Sequence, residues 1–189
     1  MDKTFTEQES LQVIQRMIDN TKTTLRAQGH MYILWGIMTA VAAILNYYFL
    51  KNPAGFPPGI VWAILMPLTG IVHGILVYKL EKDSRMTTFA DNTMKFLWIG
   101  FTLSIIVLIV VMFQVGPANA YPMFMILYGL GIFASGGILD LKPLMIGGIA
   151  CFVCAIIASF VPFDQQLLVI ATASLVGFFL PGLLIYKKK

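Results

Sequence analysis

Few residues of this chain are of types that carry chemistry, and most of those lie inside long apolar runs. His73, in "TGIVHGILVY", is the one histidine well inside such a run. An ionisable group in hydrocarbon is costly and marks a proton or ligand site by default. A neutral imidazole costs less than a charge, and it can equally serve as a hydrogen-bonding strut between helices. Both roles stay open from sequence. Cys151 and Cys154, in "CFVC", have the spacing of a redox or zinc pair. Such a pair needs reachable, electrostatically supported thiolates. Its neighbours here are Phe, Val, Ala and Ile, so packing is expected and no metal is. Asp140 and Lys142 read as a hairpin pair at a membrane surface. No paired carboxylates, HExxH, P-loop or Mg²⁺-holding aspartate cluster occurs. The expectation is a non-enzymatic protein without cofactor.

The elements that would position these residues follow from composition. Of 189 residues, 58% are hydrophobic and 12% charged. A soluble domain carries about 45–50% apolar and about 25% charged residues. Six stretches, 31–50, 58–78, 96–115, 121–139, 143–162 and 166–186, contain no Asp, Glu, Lys or Arg. Crossing a ~30 Å hydrocarbon core takes about 20 such residues in a helix. The fold class is therefore an all-α integral membrane protein, a six-transmembrane-helix bundle. Residues 1–29 precede it as a cytoplasmic amphipathic helix, and 30–189 form the membrane domain. The first span is too long, and too far from the amino terminus, for a cleaved signal.

Basic residues set the threading. Twelve of the thirteen fall in segments on one side when the amino terminus is placed inside, and only Lys51 falls outside. The positive-inside rule then puts both termini in the cytoplasm. The net charge of +4 is an orientation device and calls for no nucleic acid. Aromatics such as Tyr47, Tyr48, Trp62 and Tyr121 on one side, and Tyr32, Trp35 and Trp98 on the other, fit the two interfaces.

In the first segment Leu11, Ile14, Ile18 and Leu25 form one apolar stripe. Thr6 and Glu9 can make a capping box, and Gly29 reads as a break before the first span. The stripe suits the inner leaflet, the bundle itself, or a partner helix that it docks. A second link has Asp83 or Ser84 as cap and Met86, Phe89 and Ala90 leading helically into the third span. Pro67 and Pro181 lie within spans and should bend them.

Without a hydrophobic drive inside the bilayer, helices associate through small residues. Gly147, Cys151, Ala155 and Ser159 form such a ladder on span five, expected to be the central helix. Gly129, Gly131, Ser135, Gly136 and Gly137 offer a matching thin surface on span four, and Gly70 with Gly74 makes a GxxxG pair on span two. Whether these pack within the chain or between copies stays open. An uncharged solute cavity near His73, Asn46, Thr39 or Ser135 is the tentative ligand site. "ILWGI" at 33–37 and "ILYGL" at 126–130 suggest a three-span inverted repeat. A third aromatic–glycine motif at 96–100 and unequal spacings favour shared composition instead.

Two resemblances follow from these motifs. "FASGG" at 133–137 is similar to the serine motif of rhomboid intramembrane proteases, but both histidines precede Ser135, the reverse of that family's order. "ESLQVIQRMIDNTKTTL" followed by "LWG" resembles a family of small uncharacterised bacterial six-span membrane proteins. The matching positions are Glu9, Ser10, Leu11, Ile14, Met17, Ile18, Leu34, Trp35 and Gly36, with "SGGILDLKPLMIGG" also similar. The resemblance implies a bacterial inner-membrane location and no catalytic residues. The expected function is association, through the N-terminal helix, with a membrane or cytoplasmic partner, or as a homo-oligomer. The alternative is small-solute transport or substrate capture.

Overall fold

A computed structural model describes residues 7–52, 55, 57, 59–81, 89–116 and 120–187; side chains are described from Gly29 onward, except those of 80, 81, 89 and 115. The elements are α1 (Glu7–Lys51), α2 (Ile60–Glu81), α3 (Phe89–Val115), α4 (Ala120–Ile138), α5 (Lys142–Ser159), α6 (Phe163–Ser174) and α7 (Leu180–Lys187). A single π-helical turn, Leu175–Phe179, joins α6 to α7. With that turn they form one continuous rod, so six rods are long and apolar enough to cross a membrane. The chain is a multi-pass membrane protein. Helix is what uncharged stretches of this length must adopt in lipid, because each backbone N–H and C=O then finds its partner within the rod.

The rods alternate in direction. One face, here the near face, carries Gly29, Lys79, Asp140 and Lys187; the far face carries Lys51, Gly59, Gly116 and Phe160. The helical lead-in to the third span is present, since α3 starts at Phe89. Asp83, Ser84, Met86 and Thr6, named above as caps and lead-in residues, lie outside the described residues. So do the side chains of Leu11, Ile14, Ile18 and Leu25, although their backbone belongs to α1.

Gly29 is not a break. α1 runs through it for 45 residues, about 68 Å at ~1.5 Å per residue. The glycine serves close approach instead. A Cβ there would stand 3.0 Å from the Gly182 carbonyl and 3.1 Å from the Tyr186 nitrogen, and a Cβ on Gly182 would meet the Gly29 carbonyl at 2.9 Å. Two bare backbones thus lie against each other where α1 crosses α7.

The central helix is the sixth rod, not span five. It packs against α1, α4 and α5, whereas α1 makes no backbone approach to α5. α4 and α5 form the tight hairpin expected of them. Its turn places Asp140 at φ 52° and returns the Leu141 N–H to the Gly136 carbonyl at 2.8 Å. The expected Asp140–Lys142 pair is absent; the ion pair among the described residues joins Lys51 to Asp164 at 2.6 Å. It clasps the last turn of α1 to the first turn of α6.

The span-five ladder holds at three of four rungs. Gly147, Cys151 and Ala155 are buried, but Ser159 is exposed and returns its hydroxyl to the Ile156 carbonyl at 2.7 Å. It sits on the last turn, past the crossing. Gly70 and Gly74 take no part in packing within the chain among the described residues: a Cβ on either would meet nothing within 4 Å. α2 buries Val61 and Thr69 toward the bundle, and the glycines lie off that stripe. α2 and α3 are peripheral. Their backbones approach only α1 and α4 respectively, and no described Cα of one comes within 8 Å of the other.

Candidate functional site

α1 and α4 run antiparallel, and no Cα pair between them comes within 8 Å. Large side chains fill the gap and build a polar ladder. At the far end, the Asn46 amide donates to the Tyr121 hydroxyl at 3.1 Å, while the Asn46 carbonyl oxygen accepts from the Gly59 N–H at 2.9 Å. In the middle, the Tyr128 hydroxyl faces Thr39. At the near end, the Tyr32 hydroxyl faces Ser135, whose own hydroxyl donates to the Gly131 carbonyl at 2.7 Å.

The spacing is regular. On α1 the rungs are residues 32, 39 and 46; on α4 they are 135, 128 and 121. Seven residues make two turns of helix, about 10.5 Å of rise, so the rungs stay on one face of both rods. Each rung pairs one tyrosine with one smaller polar residue. Thr39, Asn46, Ser135, Tyr32 and Tyr121 are all buried. Tyrosine supplies both the reach across a wide gap and a hydroxyl to finish it, which explains how the seam closes without small residues.

Both ends of the seam also hold a buried donor. The Tyr32 hydroxyl and the Trp62 indole Nε1–H are sealed from solvent and make no hydrogen bond of good geometry. Trp98 flanks Tyr32 with ring centroids 6.3 Å apart, and Trp62 flanks Tyr121 at 6.1 Å. Trp98 and Phe101 also cover Gly131 of α4, which is the anchor of α3. Farther along, α3 and α4 part into an open apolar groove of about 490 Å³, lined by Leu103, Val107, Leu108, Met123 and Leu127.

The four tentative ligand residues do not converge. Thr39, Asn46 and Ser135 occupy three separate rungs. His73 lies outside the seam, where its Nδ1 accepts a hydrogen bond from the Trp35 Nε1–H at 2.9 Å. That bond ties α2 to α1.

A second dense point lies where the sixth rod crosses α5. The Cys151 thiol donates to the Ala173 carbonyl at 3.5 Å, just before the π turn. Pro181 has no N–H to offer the Gly177 carbonyl, and that carbonyl points at the bare backbone of Gly147, where a Cβ would come within 2.6 Å of it. A Cβ on Gly177 would overlap the Cys151 sulfur. Cys151 is buried and Cys154 half-buried, and both are free thiols. No group of three or more His, Cys, Asp or Glu able to hold a metal occurs among the described residues.

Sequence reasoning found Asn46, Thr39, Ser135 and His73 but not their partners Tyr121, Tyr128, Tyr32 and Trp35. The available signal was the heptad spacing of polar residues on spans one and four. It was hidden because Tyr32 and Tyr121 also suit a membrane interface, and Tyr128 was not singled out at all. Comparisons with family models, with curated proteins and with solved structures found no match.

Proposed function

We propose that this is a non-enzymatic protein of the bacterial inner membrane that works through association, with both termini cytoplasmic. Its N-terminal helix docks a membrane or cytoplasmic partner and passes the contact to the bundle. The observation that supports this most is the unbroken α1. Its first 22 residues, Glu7 to Gln28, would reach about 33 Å beyond the span at ~1.5 Å per residue. With no break at Gly29, a force on this arm is felt where α1 meets the sixth rod. The apolar stripe of Leu11, Ile14, Ile18 and Leu25 supplies the docking face. Removing residues 1–28 and repeating affinity purification from membranes tests the reading: undiminished partner recovery rejects it. Labelling Lys51 or Asp164 with a membrane-impermeant reagent on intact cells tests the orientation, which fails if both are shielded while the amino terminus labels.

The polar ladder favours a second reading, capture of a small uncharged solute. Buried polar groups in a bilayer are retained where they hold helices or a ligand. Thermal-shift screening in detergent against vitamins, neutral lipids and cations tests it. Stabilisation that Asn46→Leu or Ser135→Ala abolishes supports capture, and the absence of any stabiliser removes this reading.

A further inference from the structure

The Trp35–His73 bond can be broken by a single proton. Indole nitrogen only donates, so His73 Nδ1 is the acceptor and the neutral ring carries its proton on Nε2. Protonation places a second N–H on Nδ1, pointing at the Trp35 donor. The bond then has two donors and no acceptor, and it cannot survive in that geometry. We propose that His73 is an acid-released latch: the near-face half of α2 is fastened to α1 while His73 is neutral and comes away when it is protonated.

Three observations support this. First, α1 is the only described element whose backbone α2 approaches, so little else restrains it. Second, the polar ties of α2 to the bundle are divided between its ends. The far end is fixed through Gly59 to Asn46, which does not titrate, and the near half is fixed through His73. Thr69, between them, spends its hydroxyl on the Leu65 carbonyl of its own helix. Third, the spans of α1 and α2 that face each other hold no countercharge for an imidazolium. Neither residues 29–50 of α1 nor 60–78 of α2 include Asp, Glu, Lys or Arg. On α1 the nearest titratable groups are His30, which stacks on Tyr186, and Tyr32, which faces Ser135 and Trp98. On α2 they are Tyr78, Lys79 and Glu81 at the near-face end. A positive ring gains no partner by staying, so release follows protonation. The bond is present at high pH and lost as pH falls.

Amide hydrogen exchange on the intact chain in nanodiscs, at pH 8 and pH 5, tests the latch against His73→Gln. Glutamine keeps a carbonyl acceptor for Trp35 and does not titrate. At pH 5 the wild-type segment 66–79 should exchange about tenfold faster than in the glutamine variant, the size expected for one lost hydrogen bond. At pH 8 the two should match. Trp35→Phe, which removes the donor, serves as a second variant should glutamine fold poorly; its α2 should exchange fast at both pH values. A wild type whose rate relative to the glutamine variant is the same at pH 8 and pH 5 overturns the latch, as does a Trp35→Phe variant whose rate relative to glutamine rises as pH falls.

Discussion

Glycines buried between the central rods and glycines of the peripheral ones do opposite things in this molecule. Gly137 of α4, expected above to belong to a thin packing surface, is exposed and faces open space like the peripheral set. At Gly36 an added Cβ would meet the Phe179 nitrogen at 2.6 Å, and at Gly148 the Phe133 nitrogen at 2.7 Å. At Gly70, Gly74 and Gly100 it would meet nothing within 4 Å. The central set marks where backbones touch, between α1, α4, α5 and the sixth rod. The peripheral set lies on rods whose membrane spans are 11% and 0% buried. A GxxxG spacing therefore identifies a thin surface without saying that anything covers it. Position in the bundle decides, and spacing alone does not carry that information.

The difference can be broken most forcefully at Gly36. Gly36→Leu drives a side chain into the backbone of Phe179, which has no rotamer to move, and folded protein in detergent should be lost. Gly74→Leu, the same change on α2, should change stability by no more than about 1 kcal/mol, the size of the helix-propensity gain. Equal losses at both sites would erase the contrast. A finer cut lies at the π turn. Gly177→Ala should cost about 1–3 kcal/mol by overpacking against Cys151. Adding Cys151→Ala should return a large part of it, because the overlapping atom is the sulfur. A chemical-denaturation cycle reads both, and strictly additive losses would show that backbone, not sulfur, is the obstacle. A small effect of favourable sign belongs to Gly70→Ala, which should stabilise by up to about 1 kcal/mol through helix propensity. A loss there would reveal a second helix lying on that face in the membrane.

How far the fold was legible depends on what each feature is made of. The six rods were readable because absence of charge over bilayer length is a property of one segment at a time. Gly29 was misread for the complementary reason. A glycine before a span looks like a stop, and only the presence of Gly182, more than 150 residues later, turns it into a crossing point. The π turn had one visible signal, Pro181, which was read as a bend. What the sequence did not show is that the helix widens into a π turn just before the proline, and that the carbonyl proline leaves unserved lies against Gly147. The ladder was half legible. Thr39, Asn46 and Ser135 stood out as polar residues in apolar runs, but Tyr32 and Tyr121 look interfacial, and placing any of the three tyrosines in a seam needs the antiparallel register of α1 and α4. His73 was noticed, and its role was undecidable without the Trp35 indole across from it.

The contact of Gly29 with Gly182 also bears on how the protein can be handled. It brings the start of the first span beside the last turns of α7, so the two helices meet the same membrane surface as neighbours. A donor dye near His30 and an acceptor near Tyr186 would therefore make a short-range ruler for any parting of α1 from α7.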